Sequence, residues 1–511
     1  MTTLKVPFRG EYASREEADK AVQELARAHS FGLTVGTSEP INATFSWRCH
    51  AYGKPDRRNK RPDIDKSRQR SRTGTTKTDC KWVCGIKQDR STKIWLVQTR
   101  TDIHNHLFAT NIESIASLRR LDNRKAENMS QIKLLISAGV KPQRATEELR
   151  KRGIAILAKD VENIKHKERL QELQGRAPLM FLLELLKTRN YKVATQVGSD
   201  SVLLALFYIT PGALSTYKQN PDIIGLDCTY KTNRFNMPLL NIVGYTGGSE
   251  TFQIGLAFLN DETALSYHWV LTELEKIRVE ADIPPPLVLI TDREEALMNH
   301  LPGIYPAAQH LLCQWHVNMN VKLNCRKYFP ASRLENGRRI EPEWEKFFKD
   351  WKSLLAEPIQ ETYKEKQQAF QNDYPEATVA YCLNNWATKY PTKLLGYIIN
   401  KRLNFGIRNS SFVEGSHAAL KARLATSRYD LLGFFKELES NWKSRALDIR
   451  ILIDQENQAP RHEYFKPVFE AIRPLIRNKA LELINQQMQK LPTQFHGNRP
   501  PTTVCTGTFR A

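Results

Sequence analysis

From residue 220 onward the chain alternates short apolar runs with helix-spaced polar stretches. "DIIGLDCTY", "PLLNIVGYTG" and "FQIGLAFLN" read as strands, and "ALSYHWVLTELEKIRVEA" as the helix after them. The strand "PPLVLITD", the helix "REEALMNHLPGIYP" and the strand "QHLLCQWHV" follow. Short loops join the first three strands, which predicts an antiparallel meander. The later strand–helix–strand alternation predicts parallel additions, making a five-stranded sheet.

Residues 11–29, "EYASREEADKAVQELARAH", have the spacing of an amphipathic helix, and 41–110 read as short strands. Between the first two strands lies "KPDRRNKRPDIDKSRQRSR", with nine Lys/Arg against three Asp. It has almost nothing to bury, which predicts a mobile basic loop. Residues 111–195 switch to helical periodicity, and "QIKLLISAGVKPQRATEELRKRG" suggests a helix-turn-helix-like connector that could contact DNA. Residues 317–405 are polar, Trp/Tyr-studded and helical in spacing; 412–490 are helical again, and the Pro/Thr-rich last 20 residues read as loosely ordered. The expected boundaries are 1–112, 113–215, 216–450 with a helical insertion at about 317–405, and 451–511.

The chain has 511 residues, too long for one core, and 41% hydrophobic with 26% charged residues, as in soluble globular chains. Its net charge of +21 changes the picture, because such a field attracts polyanions, nucleic acid first. "MTTLKVPFRGEY" lacks the apolar stretch of a signal peptide, and "LMFLLELL" and "VLLALFYI" are about half the length needed to span a bilayer. The expectation is an intracellular, reducing compartment with no membrane contact. There, eight cysteines favour metal ligands or buried thiols over disulfides.

Two strands end on a carboxylate: Asp227 after "IIGL" and Asp292 after "LVLIT". Each alone has a plain reading, a strand-end cap for Asp227 and a helix N-cap for Asp292. If the strands are neighbours, two like charges meet and repel, unless a cation intervenes. Hard oxygen ligands suit Mg²⁺ or Mn²⁺, which activate water at a phosphodiester. In "RNSSFVEGSHAALKARL", Asn409, Ser410 and Ser411 can cap a helix whose first turn holds Glu414. Lys421 lies two turns on, nearly on the same face, where it could meet a phosphate.

Cys49, Cys80, His104 and His106 form a second set. If "TDCKWVC" and "TDIHNHL" are strands, His104 and His106 share a face, and so do Cys80 and Cys84, either of which could be the ligand. The alternative is buried thiols beside a polar turn. "C…CKWVC…W…HNH" resembles the WRKY/GCM-type zinc finger of far-red-impaired-response proteins and Mutator-like transposases. The resemblance implies Cys49, Cys80, His104 and His106 as zinc ligands, with Cys84 an extra thiol. It also implies a DNA-binding sheet, with Arg57, Arg58, Lys60, Arg61, Arg68, Arg70 and Arg72 of the basic loop on phosphates.

The ordering of Asp227, Asp292 and Glu414 resembles the ribonuclease-H-like site of DDE recombinases. "LDCTYKTNRFNMPLLNIVGYT", "LITDREEALMNHLPGIYPAAQHLLCQWHVNMNV" and "NSSFVEGSHAALK" are similar to the blocks of Mutator-like element (MULE) transposases. The resemblance implies an α/β, ribonuclease-H-like catalytic domain with a helical insertion, preceded by the zinc-stabilised antiparallel domain and the connector. It implies Asp227, Asp292 and Glu414 as the metal-binding triad, with the 121 residues between Asp292 and Glu414 carrying the insertion. Cys313 and His316 match its C/D-x-x-H motif, near the site or the DNA. Their plain reading is a core thiol and a strand-end cap; a zinc site is not expected there, since only Cys325 is nearby. Lys231 and Lys421 are expected on DNA. Cys505 resembles the remnant of a SWIM module cut short. The expected function is a nuclear, oligomeric transposase acting on double-stranded transposon ends and target. The alternatives are a domesticated DNA-binding regulator that retains the fold, or a metal-dependent nuclease without transposition.

Overall fold

A computed structural model describes residues 4–41, 43–55, 76–335, 338–402, 404–407, 411–424, 426–458, 461–473 and 476–489. The basic-loop residues Arg57, Arg58, Lys60, Arg61, Arg68, Arg70 and Arg72, the cap residues Asn409 and Ser410, and Cys505 lie outside the described residues. The chain divides into two compact units, Met1–Gly175 and Arg176–Ala511.

The main sheet of the first unit has five strands: β1 Arg9–Tyr12, β2 Leu33–Glu39, β3 Thr44–Cys49, β4 Val83–Gln88 and β5 Trp95–Thr101. They form an antiparallel sheet in the order β1-β5-β4-β3-β2. Helix α1, Arg15–Ala28, starts at a Ser14–Glu17 capping box, which satisfies two N-terminal amides. It buries Ala18, Val22 and Ala26 in a core with Phe31, Trp82, Ile86 and Val97. Beyond the sheet, helices Ala126–Ser137, Pro142–Lys151 and Ala158–Leu173 close over Ile132, Leu149, Ile156 and Val161. A four-residue turn with Gly139 at φ +71° links the first two.

In the second unit a mixed sheet of seven strands carries the fold. These are β6 Lys192–Val197, β7 Leu203–Ile209, β8 Ile223–Thr229, β9 Leu239–Tyr245, β10 Thr251–Leu259, β11 Val288–Thr291 and β12 Gln309–Leu312. The order is β12-β11-β8-β9-β10-β7-β6. The meander β8-β9-β10 is antiparallel, and β11 and β12 add in parallel. The sheet exceeds the expected five strands because residues 192–209, read as the end of a helical connector, supply β6 and β7. An eight-residue apolar run such as "VLLALFYI" has no period that separates a buried strand from a helix.

Both faces are covered, so the central strands are mostly apolar. Helix α2, Ala264–Glu280, packs Tyr267, Val270, Leu271 and Leu274 over one face, against Ile224, Leu226, Leu240 and Leu289. On the other face, Ile223, Val243, Val288 and Ile290 meet Val413 of helix α4, Ser411–Arg423, and Ile399. Between β12 and α4 comes helix α3, Gln314–Cys325, then a helical insertion with its own core of Trp344, Phe347, Trp351, Phe370 and Trp386. Among the described residues no helix is long and apolar enough to cross a membrane.

Candidate functional site

The parallel register of β8 and β11 builds the acidic centre. Ile223 pairs with Val288 and Gly225 with Ile290, so the next pair on that face is Asp227 with Asp292. Neighbouring strands are about 4.8 Å apart, which sets the two carboxylates side by side. Asp227 is not a strand-end cap: it lies inside β8, opposite Asn241 of β9, and is buried. Asp292 is not a helix cap either, because Glu294 caps the following helix. Burial and then the Asp292 charge raise the pKa of Asp227. Asp292 is raised too, mainly by burial. The carboxylate of Glu262, held by Tyr230 and Tyr267 at 2.8 and 3.0 Å, adds to that rise.

Helix α4 supplies the third acid. Val413 anchors it to the sheet, and Asn241 donates to Ser416 at 3.1 Å. Asn241 is fully buried beside Asp227, so this bond fixes where Glu414 stands relative to β8. Glu414 occupies the first turn, where the helix dipole favours an anion.

Two imidazoles complete the group. Cys313 caps α3, its buried sulfur accepting from the His316 amide at 3.4 Å. That turn aims His316 Nε2 at Glu414, 3.1 Å away, and at Asp227, 3.9 Å away. So Cys313 is a core thiol, while His316 faces the acids rather than capping a strand. Burial pulls the His316 pKa down, but Cys313 and Glu414, with Asp227, outweigh it and hold it up to about 10. Hydrogen bonding to His316 in turn lowers Glu414. His417, three residues past Glu414, brings Nδ1 to 3.6 Å from Asp227. The sequence reading passed over His417 and Asn241. Both had a signal: i, i+3 positions share a helix face, and "PLLNIVGY" sets one amide inside an apolar strand.

Donor atoms of Asp227, His316 and Glu414 lie within 4.8 Å of one another, while Asp292 stands outside that group. An acidic cluster with imidazole at this spacing, buried at Asp227 and half-buried at His316 and Glu414, fits a divalent cation, which would relieve the part of the Asp227 rise that comes from charge repulsion. Lys231, just past β8, and Lys421, in the last turn of α4, are exposed.

In the first unit, Cys49, Cys80, His104 and His106 converge with donor atoms within 4.8 Å of one another. Cys49 Sγ is 3.2 Å from His106 Nε2, and Cys80 Sγ is 3.5 Å from His104 Nδ1. Cys80 does not share a strand with Cys84. β4 begins at Val83, and Cys80 precedes it in an isolated bridge to Tyr52. Cys84 lies within β4, opposite Trp47, outside the group. His106 likewise lies beyond the two-residue strand Ile103–His104. Hydrogen bonding from Cys49 lowers Cys80, despite burial, and the same bond with burial raises Cys49. Two cysteines and two histidines converging in a largely buried site are compatible with zinc.

A profile of the MULE transposase domain matches residues 223–320, which hold Asp227, Asp292, Cys313 and His316. The protein is MULE transposase-like. Protein FAR1-RELATED SEQUENCE 5 of Arabidopsis thaliana is 25% identical over 326 residues, covering 61% of this chain and 40% of that protein. Protein FAR-RED IMPAIRED RESPONSE 1 of the same plant is 24% identical, covering 60% and 38%. The PKS-NRPS hybrid synthetase cheA of Chaetomium globosum is 21% identical over 97% of this chain, but over only 11% of its own length. The chain thus spans two-fifths or less of these relatives. The MULE-like chain is transposase-derived, and the matched region holds β8–β12 with Asp227, Asp292 and His316, while β6, β7 and Glu414 lie outside it.

Proposed function

We propose that this MULE-like chain is a DDE-type transposase, with a ribonuclease-H-like catalytic domain, that cuts and rejoins DNA. One observation carries the reading: Asp227, Glu414 and His316 converge over one face of one sheet, with Asp292 following the strand beside Asp227, although up to 187 residues separate them in sequence (414 − 227). The order also fits, with a carboxylate on the first strand of the meander, one after the first parallel addition and a glutamate on a late helix. Asp227, Asp292 and Glu414 would hold Mg²⁺ or Mn²⁺, which supplies activation of a water or DNA 3′-OH and stabilises the leaving oxygen. The chain's own part is positional: β8 and β11 set the aspartates, and Asn241–Ser416 sets the glutamate.

The net charge of +21 suits a double-stranded DNA partner, contacted by the basic loop, Lys231 and Lys421. The zinc-bound sheet and the helices with the Gly139 turn would read the terminal repeats. Two transposon ends must be held together, which calls for an oligomer, and the substrate places the protein in the nucleus. The test is a cleavage assay on terminal-repeat DNA with Mg²⁺ or Mn²⁺. Wild type should cut and Asp227→Ala should not; equal cleavage by both would sink the reading. The second reading is a DNA-binding regulator that retains the fold. It is favoured by plant relatives named for a far-red response rather than for transposition. Repeat-specific binding with no cleavage would establish it.

A further inference from the structure

We infer that the divalent-cation site has mixed chemistry, with His316 Nε2 a direct ligand beside Asp227 and Glu414, so that it selects Mn²⁺ over Mg²⁺. The inference rests on the metal-site reading above and goes one step further.

The geometry carries it. An ion about 2.1–2.2 Å from each donor needs donors within roughly 4.4 Å of one another. His316 Nε2 meets that toward both acids, at 3.1 Å from Glu414 and 3.9 Å from Asp227. Asp292, the expected partner acid, is absent from this tight group. The imidazole is held at the start of α3. Its backbone amide is bonded to the buried Cys313 sulfur, it lies edge-on to Trp315 at 4.8 Å, and its Nδ1 is buried. His417, 3.6 Å from Asp227 and buried, steadies that carboxylate without joining the three donors.

Donor chemistry then sets the metal. Mg²⁺ takes oxygen ligands in a near-ideal octahedron and gives up its waters reluctantly. An imidazole nitrogen suits the transition series, in which affinity at an N/O site rises from Mn²⁺ onward. Two carboxylates and one imidazole therefore favour Mn²⁺-class ions, and Asp292 remains as an all-oxygen position for a second ion.

The probe is Mn²⁺ added to the full chain, with the Cys–His cluster already loaded with spectroscopically silent zinc. Pulsed EPR should show nitrogen coupling to bound Mn²⁺, lost in His316→Gln. Calorimetric competition should show Mn²⁺ preferred over Mg²⁺, and the preference falling about tenfold or more in His316→Gln. His417→Gln should weaken binding while leaving the coupling in place. Bound Mn²⁺ with no nitrogen coupling in wild type would overturn the inference, whatever the variants do. Mn²⁺ binding unchanged in Asp227→Asn would instead overturn the acidic metal site itself.

Discussion

Cys80→Ser is the sharpest test of the Cys–His cluster. The core around it is small: Val6, Val22, Phe31, Leu33, Phe45, Trp82, Ile86 and Val97 are buried beside three alanines and three cysteines. Structural zinc in small modules supplies about 10–16 kcal/mol of apparent binding free energy at neutral pH. Shared over four donors, that is about 2.5–4 kcal/mol each, or roughly 10²–10³ in zinc affinity for one lost thiolate. A whole domain is stable by only about 5–15 kcal/mol, so losing the metal should unfold the sheet of β1–β5. The assay is zinc content after gel filtration, with thermal melts followed by circular dichroism. Cys80→Ser should lose zinc and melt early, as wild type should after a strong chelator. Cys84→Ser is the control, since Cys84 is equally buried but outside the cluster, and it should retain zinc. Full zinc and an unshifted melt in Cys80→Ser, or zinc loss in Cys84→Ser alone, would refute the assignment.

Three further changes probe how the second unit holds its site. Gly396→Ala sets a methyl group 2.6 Å from the Ala356 carbonyl oxygen, with further backbone atoms at 2.7 Å. Backbone cannot yield cheaply, so a loss of about 1–3 kcal/mol is expected, read as a lower denaturant midpoint; an unchanged midpoint would contradict the packing. Asn241→Ala removes the bond to Ser416, which should cost about 0.5–1.5 kcal/mol in stability and more in Mn²⁺ affinity. Equal Mn²⁺ affinity by calorimetry would show that Glu414 is held by other means. Behind Asp292, Lys393 donates to His310 Nδ1, and His310 Nε2 is 2.9 Å from Thr291 Oγ1. Burial and then Lys393 push His310 down to about 3, so it accepts as a neutral ring. His310→Phe should strand a half-buried ammonium at about 1–3 kcal/mol, part of which His310→Phe/Lys393→Met recovers in a double-mutant cycle.

What the sequence made legible follows from which signals are local. A carboxylate closing an apolar run is visible in one line of text, and it picked out Asp227, which lies in β8, and Asp292, which directly follows the adjoining β11. Glu414 was visible through the geometry of a helix start. The same reasoning failed at "VLLALFYI", where eight apolar residues carry no usable period and two strands were read into a connector. It also left Cys80 and Cys84 open, because a spacing of four serves both if the strand is continuous. In the structure the strand starts only at Val83, and a single bridge turns Cys80 away from it. His316 was noticed but not assigned, since its orientation depends on a cap contact with the preceding cysteine and on two acids from distant segments.

The long excursion between Asp292 and Glu414 also has a consequence in time. At a synthesis rate of about 5–20 residues per second, the 121 intervening residues take roughly 6–24 seconds to emerge. Throughout that interval the two aspartates have been synthesised and the helix bearing the glutamate has not. The insertion core around Trp351 is local in sequence and can close early. Docking of Ser411–Arg423 onto the sheet is the long-range step. The three-acid site therefore stays incomplete until the sheet and the insertion have already been made, and the interruption works as a delay built into the order of translation.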